Sequence, residues 1–119
     1  MKKIIIGILL AFFLSASVVW AESTRTATLT ADAKVTTGKG FITGIIVMTD
    51  GTNSVTVEIY DNVTAGGEKI IPTWIIPTSA TNRASALSFG GDGEPFDTGI
   101  YVDITTSGTV SYMVYYEKR

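Results

Sequence analysis

The chain contains no cysteine and no histidine. Without cysteine there is no disulfide framework, no thiol nucleophile and no thiolate metal site. Without histidine there is no Ser-His-Asp triad, no Cys-His dyad and no imidazole ligand. Basic charge is also scarce: 9 Lys and Arg against 11 Asp and Glu leave a formal charge of −2, which offers no field for nucleic acid. Catalysis is not expected, because acid-base and nucleophilic sites draw most often on the residues that are missing. A length of 119 residues allows one ordinary domain.

The long apolar run lies at the beginning. Lys2 and Lys3 precede the apolar stretch Ile4–Leu14, and Val19-Trp20-Ala21 supplies a cleavage pattern before Glu22. This is the three-part layout of a secretory signal peptide over residues 1–21. The protein is therefore expected to be secreted, to the periplasm or beyond, and to meet a membrane only through its leader during export. Loss of both leader lysines leaves 7 cations against 11 acids, a charge of −4 for residues 22–119.

What remains is rich in β-branched side chains: 18 Thr, 10 Ile and 8 Val against two Leu, Leu29 and Leu87. Such side chains fit a pleated surface better than a helix. Apolar alternation and turn residues predict strands over Thr24–Ala31, Gly40–Thr49, Ser54–Tyr60, Glu68–Ile76, Arg83–Phe89, Gly99–Thr105 and Thr109–Glu117. The nearly continuous apolar run of Gly40–Thr49 predicts a central strand covered on both faces. Asp50-Gly51-Thr52-Asn53 and Ser107-Gly108 each predict a hairpin. Pro72 cannot donate to a ladder, so Glu68–Ile76 should lie at an edge or bulge. Asp61–Gly67, Pro77–Asn82 and Gly90–Asp97 read as loops. About seven strands in one domain, residues 22–119, predict an all-β antiparallel β-sandwich, immunoglobulin-like or jelly-roll.

Four features bear on function. Asp92, Glu94 and Asp97 sit among Gly90, Gly91 and Gly93, a candidate calcium loop, although the spacing matches no EF-hand. It is the one cofactor the sequence suggests. Glu58 and Asp103 are expected on outward strand faces, where charge needs no catalytic role. Tyr60, Tyr101 and Trp74 form a candidate aromatic platform, since a ring face stacks on the apolar face of a sugar. The alternating Thr24–Ala31 strand, directly after the cleavage point, is a candidate for adding to a neighbour's sheet.

Two segments carry a family likeness. SVTVEIYDNVTAGGEKIIPTWIIP runs from a strand through Tyr-Asp-Asn and a small-residue turn to a strand ending in Ile-Pro. GIYVDITTSGTVSYMVYYE is a glycine-led strand, a glycine turn and a closing strand. With the earlier GIIVMTDGT, they make most of residues 40–117 resemble the small β-sandwich proteins of tailed-phage structural gene clusters, here with an added leader. The resemblance implies a virion-associated or structural module and brings no catalytic residues.

The expectation is a secreted, non-enzymatic structural or surface-interaction subunit that self-assembles through strand edges. Its partner would be a second copy or a surface glycan or protein, and not nucleic acid. The alternative is a small glycan-binding or adhesin-like module.

Overall fold

The computed structural model describes residues 23–119, so the leader expected over 1–21 lies outside the described residues. Among the described residues nine strands form two antiparallel sheets: β1 (Ser23–Arg25), β2 (Ala33–Thr37), β3 (Gly40–Thr49), β4 (Val55–Tyr60), β5 (Trp74–Ile76), β6 (Ala84–Ser88), β7 (Glu94–Phe96), β8 (Gly99–Thr105) and β9 (Val110–Lys118). One sheet has the order β1-β9-β3-β6, with β7 continuing the β6 side of β3; the other has the order β2-β8-β4-β5. The all-β sandwich class matches the sequence reading.

The inward residues follow from alternation. Ile42, Ile45 and Val47 of β3 and Tyr112 and Val114 of β9 face Val55, Val57 and Ile59 of β4 and Ile100 and Val102 of β8, all fully or almost fully buried. Phe96 and Ile76 close two sides of this core. Burial of aliphatic area on this scale is the main stabilising term for a chain without staples.

Both expected hairpins are absent. β3 pairs with β6, β7 and β9, whereas β4 pairs with β5 and β8. The chain at Asp50–Ser54 therefore crosses from one sheet to the other as an arch. β8 and β9 are likewise in different sheets, so the Thr106–Thr109 turn is a second arch. A hairpin and an arch present the same alternation, since in both the apolar set faces the core.

Other boundaries moved as well. The expected Thr24–Ala31 strand is reduced to β1 and a single bridge between Leu29 and Tyr112. Ala33–Thr37, which the sequence reading passed over, forms β2, and the Gly90–Asp97 loop contains β7. Glu68–Ile76 touches β4 twice, at Lys69 opposite Tyr60 and at Trp74–Ile76, and bulges around Pro72 between them. That segment does form a sheet edge, as Pro72 required. Strand β3 is central, but its outward face is uncovered: Ile46 is 38% and Met48 53% exposed.

Candidate functional site

Two surfaces stand out, one on each sheet. The first is an edge. Among the described residues the sheets end at β1, β2, β5 and at β6 with β7. Proteins blunt exposed edges with charge, proline, bulges or very short strands. β1 has three residues and carries Arg25; β2 carries Lys34 and a bulge between Lys34 and Thr36; β5 has three residues between Pro72 and Pro77; β7 contains Glu94 and Pro95. β6, ASALS, has none of these devices.

Its free groups follow from the register. The Thr49 amide donates to Arg83 O and the Phe89 amide to Thr43 O, so residues 83, 85, 87 and 89 turn their main-chain groups toward β3. Ala84, Ala86 and Ser88 turn theirs away. Beside this edge the outward face of the sheet is apolar. Ile46 lies between Met113 and Ala86, and Gly44 lies between Tyr115 and Ser88. A shallow groove of about 290 Å³ over Gly44 is lined by Ile46, Ala86 and Tyr115. At the far end the Arg119 guanidinium lies 4.6 Å from the centre of the Phe41 ring.

The N-terminal segment expected to reach a neighbour is used at home. Thr26 and Leu29 amides donate to Val114 O and Tyr112 O at 2.9 and 2.8 Å, and the Tyr112 amide donates back to Leu29 O at 2.8 Å. The segment thus covers the outer edge of β9.

The second surface is the outward face of the β2-β8-β4-β5 sheet. Its side chains form two rows across the strands. Lys34, Tyr101, Tyr60 and Lys69 are successive register partners, and beside them Asp103 and Glu58 are opposite one another, with Asp32 flanking Asp103. The Tyr60 hydroxyl donates to Glu58 Oε2 at 2.9 Å, and Lys69 Nζ lies 2.8 Å from the same oxygen. Lys69 also donates to Thr73 Oγ1 at 2.7 Å. These contacts hold the Glu58 carboxyl below its usual range, first through Lys69 and then through Tyr60, and raise the Tyr60 phenol and the Lys69 ammonium.

Asp103 moves the other way. Partial burial and the neighbouring Asp32 and Glu58 charges raise its carboxyl. A raised folded value means that stability is fully present below the unfolded carboxylate pKa and is lost as pH rises through the folded one. Asp103→Asn should therefore raise the melting temperature at pH 7 by about 2 °C and leave it unchanged at pH 3, read by thermal melts. A lower melting temperature at pH 7 would mean that the carboxylate supports the fold.

The structure brings Tyr60 and Tyr101 together and leaves Trp74 out. Trp74 is opposite buried Val57 and packs against the core, while its neighbour Ile75 points outward, 63% exposed. The parity of the Pro72–Ile76 segment was illegible because a bulge precedes the strand. Glu58 and Asp103 are outward, as expected, and become neighbours only through the β4–β8 pairing.

Asp92, Glu94 and Asp97 do not converge. Asp92 lines a groove with Phe41 and Arg119, whereas Glu94 and Asp97 line another with Asp61, Glu68 and Lys69. Asp61, at the start of the Asp61–Gly67 loop, carries no local sequence signal for its role. Its carboxylate accepts the amides of Asp97, Thr98 and Gly99 at 2.8–3.3 Å. Partial burial pushes this carboxyl up, but the three amides outweigh it and hold it lowered. Among the described residues no group of three acidic side chains is placed to hold a metal ion.

Compared with known proteins, the chain matches no family model, no curated protein and no solved structure.

Proposed function

We propose that this protein is an exported structural subunit that associates with a second copy of itself through the β6 edge. The observation that carries the reading is the contrast among the edges: among the described residues the others are short, charged, bulged or proline-bearing, and β6 alone is left open. Two β6 strands related by a two-fold axis at Ala86 would pair antiparallel, Ala84 against Ser88 of the partner subunit, joining two sheets into one. Such isologous pairing is the commonest way a small subunit closes its surface. It also sets the Ile46, Met48, Met113 and Tyr115 faces of both copies side by side, extending the apolar surface for further stacking. The leader-like residues 1–21 support the exported part of this reading.

The test is light scattering after size exclusion on the chain from Glu22 onward, which contains every strand described. A dimer or larger closed oligomer is expected. Ala86→Pro removes only an amide that points away from β3, so it should abolish association while leaving the melting temperature within a few degrees. Ala86→Lys should act the same way through charge. A wild-type monomer at high concentration, or an oligomer unaffected by both substitutions, would refute the reading.

A further inference from the structure

The outward face of the other sheet has no role in that association. We propose that it binds a neutral oligosaccharide, laid across the strands on Tyr101 and Tyr60, with its hydroxyls shared between the acidic row and the two flanking lysines.

Ring stacking comes first. Tyr60 and Tyr101 are opposite on neighbouring strands, and Tyr60 is held in place through its hydroxyl bond to Glu58. Two adjacent aromatic side chains on a sheet face suit the apolar faces of successive sugar rings. At the spacing of adjacent strands, the row from Lys34 to Lys69 spans about 14 Å, room for a short glycan chain.

Hydroxyl recognition comes second. Both bonds to Glu58 use Oε2, which leaves Oε1 as a free acceptor. Asp32 Oδ1 accepts the Ile104 amide at 2.7 Å, which fixes its carboxyl beside that of Asp103. Lys34 makes no ion pair among the described residues. The surface therefore offers fixed acceptors beside the Lys34 ammonium and the anchored Lys69, the complement of vicinal hydroxyls. Two lysines against three carboxylates make a strip of near-balanced charge, so a neutral ligand fits better than a polyanion, which the acidic row repels.

A cleft opens between the two sheets beside the end of the strip. Asp32, at the outer end of the acidic row, also lines an open cavity of about 570 Å³. Ile104 and Val110, which also pack against the core, line it together with Thr30, Thr106 and Thr109. This is the composition of a site that seats one more sugar unit: apolar surface with a few polar groups around it.

Isothermal titration calorimetry with cellohexaose, chitohexaose and maltohexaose tests this on the chain from Glu22 onward. At least one should bind with micromolar to millimolar affinity. Tyr101→Thr and Tyr60→Thr should each weaken it by about tenfold or more, and Tyr101→Phe should retain it. Thr81→Ser, in the exposed loop before β6, should bind as wild type. Amide NMR spectra establish that each variant is folded. Absence of heat with all three sugars at millimolar concentration, or a folded Tyr101→Thr variant that binds unchanged, would overturn the proposal. Because Ala86→Pro reads out association alone, failure of either proposal leaves the other distinguishable.

Discussion

Replacing Tyr112 with alanine should lower stability by about 4 kcal/mol, the largest effect expected of any single substitution here. Tyr112 is 2% exposed and lies opposite Val47 in the centre of the sandwich. Its main chain bonds Leu29 in both directions, and its hydroxyl donates to Ala31 O at 2.6 Å. One side chain thus fills the core and fastens the N-terminal segment as it crosses from the β9 edge to β2. Burial, with the nearby Asp32 charge, pushes the phenol far above the usual tyrosine range, so the hydroxyl stays a donor at every working pH. A domain of this size has about 5–15 kcal/mol of stability, so Tyr112→Ala should lower the melting temperature by about 20 °C. Tyr112→Phe keeps the ring and loses one bond, costing about 1–2 kcal/mol. In hydrogen exchange, the Thr26 and Leu29 amides should lose protection first in that variant. If Tyr112→Phe melts as wild type, the hydroxyl does not hold the segment.

Alternation was the legible part of the fold. Val55, Val57 and Ile59, and Ile100, Val102 and Ile104, were assigned inward from period two alone, and they line the core. Alternation says which side chains are inward, but not which sheet a strand joins. The Asp50–Asn53 and Thr106–Thr109 segments have the composition of hairpin turns and serve as arches, because the partners of β3 and β4 come from distant parts of the chain. β2 and β7 escaped because each is short and weakly patterned: AKVTT has one large apolar residue, and EPF contains a proline.

The surfaces were half legible for the same reason. Tyr60 and Tyr101 could be assigned outward separately, but their adjacency needs the β4–β8 register. The acidic row and the flanking lysines depend on pairings at sequence separations no local rule reaches. Continuous hydrophobicity in GFITGIIVMT was read as burial on both sides. It marks instead a central strand whose outward Ile46 and Met48 have no cover among the described residues, beside an edge whose openness shows only once its neighbours are known.

Gly108→Ala should cost about 2–3 kcal/mol, or about 10–15 °C in melting temperature. A Cβ at Gly108 would lie 1.8 Å from Asp50 Oδ2 and 2.6 Å from Asn53 Nδ2. Neither group is free to retreat. The Asp50 carboxylate accepts the Thr52 amide, the Asn53 amide and the Asn53 side chain, each at 2.9 Å, and the Thr109 amide at 3.2 Å. This clasp ties the arch between β3 and β4 to the arch between β8 and β9, so it fixes both sheet crossings at one point. A second bond, from Thr106 Oγ1 to Ser54 O at 2.9 Å, runs beside it.

The clasp also predicts a pH dependence. The Asn53 side chain, then the Asn53 and Thr52 amides, hold the Asp50 carboxyl far below the usual carboxylate range. The folded state therefore binds fewer protons than the unfolded one. The stabilisation is fully present above the unfolded value of about 3.9 and is lost as pH falls from there through the folded value. Asp61, lowered by its three amides, has the same sign, and Asp103 the opposite one. Asp50→Asn should melt lower than wild type at pH 7, and the gap should narrow steadily below about pH 4. Adding Asp61→Asn should flatten the acid limb further. Parallel acid limbs in wild type and Asp50→Asn would show that the clasp acts without its charge. Gly108→Ala would then be destabilising through crowding of the two arches alone.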